Sequence, residues 1–318
     1  MTCVGGVKVE GIHHMAIGTR DLDAMRAFYV QAMRCTKVYA DWVELPNPVP
    51  DFFRDQPHML SASMIRQEEG GIIVELVQMH SPAPRPLRRD IRFGDIGVNK
   101  LTTAVADVEE FYAGNRDRLA FVSAPKSATI PGGGDYGFVY ARDPEGNLLE
   151  FASSSRLKRE HICSLGVSVT DLERSLGFYK RHLGYDTVVL GPHDEFSGLV
   201  GEISGERDTQ VLSCLLANSN GGDMLELYEV SRSRGRSVPL NAMWGDFGMF
   251  ELAHVCDDIH ALADHFLSEG LEFMHRPHFA LLQGEMKGTY WYMYVRDPDG
   301  IPVEAIMEEW EQGCGPGV

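Results

Sequence analysis

The sequence predicts an α+β fold of four tandem βαβββ units, with strands enough for two eight-stranded sheets. Two observations carry this. Four segments share one pattern: a short alternating apolar run ending at an Asp, then an amphipathic helix, and later a strand bearing one Glu. The pattern also recurs at two spacings. Asp21 and Asp171 lie 150 residues apart, as do Phe28-Tyr29 and Phe178-Tyr179, while Glu75 to Glu226 and Asp107 to Asp258 each span 151. Glu75 to Glu150 is 75 residues and Glu226 to Glu304 is 78, so each half is itself a pair of units.

Each element has a local cause. The openings start at His14, Lys100, Ser164 and Glu251, and each runs to an Asp (Asp21, Asp107, Asp171, Asp258) placed to accept backbone N–H bonds as a helix cap. Phe28-Tyr29 and Phe178-Tyr179 recur with apolar neighbours at helical spacing, so that face packs on a sheet. Asp-Pro-x-Gly at 143–146 and 297–300 supplies the fixed φ and the permissive Gly of a tight turn into the last strand. The polar stretch 153–158 is the expected linker between halves 1–152 and 159–318. PAPRP at 82–86 and SRSRGR at 231–236 occupy equivalent places as loops between units, the basic run being a solvated surface.

Composition excludes several functions. The chain has 318 residues with 29 Lys+Arg against 46 Asp+Glu, and its net charge of -17 repels a phosphate backbone or an anionic membrane surface. The N-terminal residues lack a basic stretch followed by an apolar run, and no segment reaches the roughly 18 apolar residues of a spanning helix. A cytoplasmic location follows as an expectation. The six cysteines form no CxxC pair, so they read as reduced thiols, with Cys163 and Cys256 acting as small core hydrophobes. Gly132-Gly133-Gly134 does not join a strand to a helix, which leaves nucleotide binding unsupported.

Repeated units with a polar residue seven positions before the helix-starting Asp and a Glu in the last strand resemble the vicinal oxygen chelate superfamily, over nearly the whole chain. That superfamily includes glyoxalase I, type I extradiol dioxygenases, an epimerase, fosfomycin-resistance enzymes and metal-free bleomycin-binding proteins. The resemblance implies cupped mixed sheets, two units per cup. It also implies one divalent metal per cup, with one ligand from each first strand and one from each last strand. Carried over by position, these are His14, Lys100, Ser164 and Glu251, then Glu75, Glu150, Glu226 and Glu304. Alternation turns His14 away from Met15 and Ile17, with His13 beside it facing the other way, and Glu75 away from Val74 and Leu76.

Pairing decides which of these meet. Neighbouring units would give His14, Glu75, Lys100, Glu150 and Ser164, Glu226, Glu251, Glu304, neither a good metal cage. Exchange between halves, as in a glyoxalase dimer fused into one chain, gives His14, Glu75, Glu251, Glu304 and Ser164, Glu226, Lys100, Glu150. The first exchanged set is wholly metal-competent, whereas in the second Lys100 supplies the charge a metal would bring. One metal site and one relic site are therefore expected, holding a single divalent ion: Mn, Co, Fe, Mg or Zn.

The resemblance then implies Lewis-acid catalysis of enolisation on a small molecule chelated through vicinal oxygens, of isomerase or lyase type. Glu75 or Glu304 is the proton-abstracting base and Tyr294 a proton donor. Two alternatives stand beside it. An Fe(II) extradiol dioxygenase acting on a catechol is suggested by Met293 to Glu304, with Tyr294 at that family's active-site tyrosine. Its two histidine positions, however, hold Ser164 and Glu251, and Glu285, Met286 and Lys287 stand where a further histidine belongs. A metal-free small-molecule binding protein is the other. Tyr140 is the counterpart of Tyr294, and His193, His275 and His278 are candidate substrate contacts. His254 reads as packed, and His260 and His265 as helical and exposed. Segments 41–58 and 276–290 read as pocket loops. A monomer or a homodimer is compatible with all of this.

Overall fold

The computed structural model describes residues 2–47, 58–88, 90–157, 160–230, 235–237, 239, 242–282 and 287–315. The four unit helices are Leu22–Met33, Val108–Asn115, Leu172–Leu183 and Ile259–Ser268. Each is capped by the Asp before it: Asp21 accepts from the Ala24 N–H, Asp107 from Glu109 and Glu110, Asp171 from Arg174, and Asp258 from His260 and Ala261. Each cap thereby satisfies amide donors that a helix start leaves without partners.

The strands assemble into two curled mixed sheets. The first runs Phe273–Leu282, Gly288–Arg296, Pro302–Trp310, Leu252–Cys256, Val7–Gly18, Gly70–Ser81, His58–Gln67, Lys37–Asn47. The second runs Thr187–His193, Val211–Ala217, Met224–Val230, Ile162–Val169, Gly97–Ala104, Leu148–Ser154, Gly134–Arg142, Ala120–Phe121. Unit one thus lies beside unit four, and unit three beside unit two. In the middle of each sheet two first strands meet antiparallel, and each is flanked by its own unit's last strand running parallel.

Beyond the eight strands on each path, Cys3–Val4 and Gly248–Met249 pair with Val7–Gly18, and Lys126–Ile130 pairs with Gly134–Arg142. Val7–Gly18 has 12 residues against 5 in its central partner Leu252–Cys256, so its ends carry backbone groups that these short strands satisfy. Of the segments expected as pocket loops, 41–58 and 276–290, the described residues 41–47, 276–282 and 288–290 are strand instead and continue antiparallel ladders. Residues 48–57 and 283–286, including Glu285 and Met286, lie outside the described residues, as do 231–234 of the basic run. From that run, Arg236 is not simply solvated but pairs with Asp90 and Asp95 at 2.6 and 2.7 Å.

The faces of both sheets that meet the helices share one core, in which Tyr29, Leu101, Leu165 and Tyr179 are fully buried. The Asp-Pro-x-Gly motifs do more there than turn the chain. Tyr29 donates to Asp143 and Tyr179 to Asp297, each at 3.2 Å, tying the helix of one unit to the turn of the next. Gly146 and Gly300 have φ of 88° and 80°, which a Cβ would disfavour. All six cysteines are free. Among the described residues no helix is long and apolar enough to cross a membrane.

Candidate functional site

Alternation sets what the first sheet turns into its cup. On Gly70–Ser81, Ile72, Val74 and Leu76 enter the helix-side core, which leaves Glu75 on the opposite face. On Pro302–Trp310, Val303 and Ala305 enter the core and Glu304 faces the cup beside Tyr294, its cross-strand partner. His14 faces the cup while Met15 and Ile17 take the core. Glu251, just before Leu252–Cys256, is wholly buried. One departure from alternation lies next to His14. Ile12 pairs with His254 and His14 with Ala253, so His13 is the extra residue of a β-bulge. Its ring turns to that of His14, with the two Nδ1 atoms 2.9 Å apart, instead of facing the other way.

His14, Glu75, Glu251 and Glu304 are brought together. His14 Nε2 lies 3.0 Å from Glu304 Oε2 and 3.8 Å from Glu75 Oε2. Donor atoms of His14, Glu75 and Glu251 fall within 4.8 Å of one another. The Tyr294 hydroxyl bonds to Glu251 and Glu304. The Trp244 indole N–H donates to Glu251 Oε1 at 3.1 Å and also supports Glu75. Glu251 Oε2 and Glu304 Oε2 are buried with no hydrogen-bond partner among the described residues.

Electrostatics follow from that crowding. Burial pushes Glu75 up to about 8, helped by the Glu304 charge, and pushes Glu304 up to about 8. Burial, then Glu304 and Glu75, hold Glu251 well above the carboxylate range. Burial pulls His14 down to about 3, so its imidazole is neutral and able to ligate. Among the described residues, one neutral imidazole and three acids, with two carboxylate oxygens that make no hydrogen bond, form a donor set that fits a hard or borderline dication.

Other candidates fall elsewhere. His275 stacks on Tyr292 with ring centroids 5.4 Å apart, and His278 is exposed on the same strand. His254 is packed, its Nε2 3.3 Å from the Tyr185 hydroxyl. His260 is helical and exposed, while His265 is helical but half-buried. His193 sits edge-on to Phe196 at the other cup. Sequence reasoning missed Trp244, which lies in a connection without periodicity, and the role of His13, for which the His-His doublet was the available signal.

The second cup holds the other exchanged set in a different state. Lys100 Nζ lies 2.6 Å from Glu150 Oε2 and 2.8 Å from Glu226 Oε2, with all three side chains buried. Tyr140 donates to Glu150 Oε1 at 3.0 Å, Thr102 to Glu150 Oε2 at 2.7 Å, and Ser213 to Glu226 Oε1 at 2.7 Å. Ser164 is buried beside them on its strand.

The sequence profile of the Glyoxalase/Bleomycin resistance protein/Dioxygenase superfamily matches residues 11–151 and again 160–305. The chain belongs to this superfamily. Glyoxalase I from Zea mays superposes with a TM-score of 0.60 at 18% identity, over 95% of this chain and 93% of that one. A putative dioxygenase from Bacillus subtilis subsp. subtilis str. 168 gives 0.56 at 13% identity, over 95% and 86%. Both are similar to this member of the superfamily in fold. No curated protein matches its sequence.

Proposed function

We propose that this superfamily member is a divalent-metal-dependent enzyme of isomerase or lyase type, acting on a small molecule with two vicinal oxygens. The observation that carries this is the convergence of His14, Glu75, Glu251 and Glu304, with Glu251 Oε2 and Glu304 Oε2 buried and making no hydrogen bond among the described residues. These four residues would hold the ion: Mn, Co, Fe, Mg or Zn. Bound there, it supplies Lewis acidity to adjacent substrate oxygens. The chain supplies the proton chemistry. Glu75 and Glu304 flank His14 and have affinities for a proton near neutrality, which suits a base that takes an α-proton and returns it to the neighbouring carbon. Tyr294 orients Glu304 and is a donor to a developing oxyanion. His13 fixes the His14 ring through Nδ1, leaving Nε2 toward the carboxylates.

Protein purified without chelators is expected to contain one divalent ion per chain. It should also exchange the α-proton of 2-hydroxy carbonyl or 2-oxo compounds for deuterium, followed by NMR, and Glu304→Gln should lose both properties. Absence of metal, or exchange unchanged in Glu304→Gln, rejects the reading. Iron content with oxygen uptake on catechols would favour ring cleavage instead; a single imidazole in the set is what argues for proton transfer.

A further inference from the structure

We propose that the second cup is a dication site permanently occupied by the chain's own Lys100, and that this ammonium is what excludes a metal from it. The two cups superpose residue on residue through their ladders. Thr102 pairs with Glu150 as Ala253 pairs with Glu304, so Lys100 takes the place of Glu251. Ser164 pairs with Thr102 as His14 pairs with Ala253, and Tyr140 pairs with Glu150 as Tyr294 pairs with Glu304. Gly166 pairs with Glu226 as Ala16 pairs with Glu75.

Three observations show that the cup is built around the lysine. The ammonium has three N–H donors and three acceptors around it, Glu150 Oε2 at 2.6 Å, Glu226 Oε2 at 2.8 Å and the Tyr140 hydroxyl at 3.2 Å. Every carboxylate oxygen of Glu150 and Glu226 has a hydrogen-bond or ammonium partner, whereas in the first cup Glu251 Oε2 has no hydrogen-bond partner among the described residues and Glu304 Oε2 has only the His14 ring, 3.0 Å away. Gly166 makes room for the lysine stem: a Cβ there would stand 2.4 Å from Lys100 Cγ, although the equivalent position in the first cup carries Ala16. Phe93, Tyr136, Phe138 and Phe196 are buried in the hydrophobic cluster that also contains Tyr140 and Tyr228. Two carboxylates and one ammonium leave a residual charge of one, and a second cation would meet repulsion from the first.

The test counts metal. Wild-type protein, a His14→Ala/Glu251→Gln variant with the first cup dismantled, and a Lys100→Glu/Ser164→His variant that copies the first cup's donors into the second are titrated with Mn(II) or Zn(II). Calorimetry and elemental analysis read the stoichiometry. The dismantled variant is expected to bind none, and the Lys100→Glu/Ser164→His variant one equivalent more than wild type. A residual equivalent in the dismantled variant, or no gain in the other, overturns the proposal. If the Lys100→Glu/Ser164→His chain has no cooperative unfolding transition without metal, its refolding is followed with Mn(II) added. Recovery of the transition supports the proposal, and failure with and without metal overturns it. The gain is scored against wild type, so it stands or falls separately from whether wild type itself carries a metal in the first cup.

Discussion

The two cups are copies of one scaffold in opposite electrostatic states. The first collects an imidazole and three acids with no lysine or arginine among its described ligand positions, and Glu251 Oε2 and Glu304 Oε2 are buried there without a hydrogen bond from the described residues. The second collects two acids around an ammonium, and each carboxylate oxygen in it has a hydrogen-bond or ammonium partner. At the four ligand positions, two changed side chains, Ser164 for His14 and Lys100 for Glu251, separate a ligand-ready site from a closed one. The proposed division into a metal site and a closed site thus rests on whether a cup is given its own cation.

The largest expected effect breaks the closed side. Lys100→Met leaves Glu150 and Glu226 buried without their counter-ion and should cost about 3–5 kcal/mol, read by denaturant unfolding. Burial lowers the Lys100 pKa, but the two glutamates outweigh it and hold the group well above its ordinary value, so the cluster stays charged across the working range. The open side should respond to pH instead. Glu75 and Glu304 titrate near 8 when folded and near 4.5 when unfolded, so between those values the folded state binds more protons. Metal-free protein should therefore lose stability as pH rises from about 5 to 8, on the order of a few kcal/mol by thermal unfolding. Metal binding, which requires the ionised carboxylates, should tighten over the same interval.

Smaller effects sharpen the comparison. Trp244→Phe removes the donor to Glu251 and should weaken metal affinity about 10–100-fold by calorimetry, with His13→Phe acting in the same direction through His14. Tyr29→Phe and Tyr179→Phe each remove one buried bond to an Asp-Pro-x-Gly turn. They should each cost about 1 kcal/mol, since the two contacts share one geometry.

Much of this architecture was legible in the chain because its signals are local. The capping Asp residues, the Phe-Tyr pairs and the Asp-Pro-x-Gly turns each act within a few residues, and their 150-residue echo exposed the duplication. The order of strands in a sheet is not local, and charge sorting among the eight ligand positions was the available guide to it. What stayed hidden depends on tertiary accidents. The bulge at His13 is a matter of register between distant strands. Trp244 reaches Glu251 from an aperiodic connection. Gly166 reads as an ordinary strand glycine until the Lys100 stem is seen lying against it.

The stretch expected as a linker, 153–158, begins inside the strand Leu148–Ser154, and the halves on either side of it do not pair internally, since each contributes one unit to either sheet. A chain severed there would yield two fragments that each lack a finished sheet. If the first fragment associated with a second copy of itself in the same geometry, His14 and Glu75 would face Lys100 and Glu150. Split complementation would then couple metal capture to reunion of unlike pieces: the ion would report the correct partnership and stay in solution otherwise.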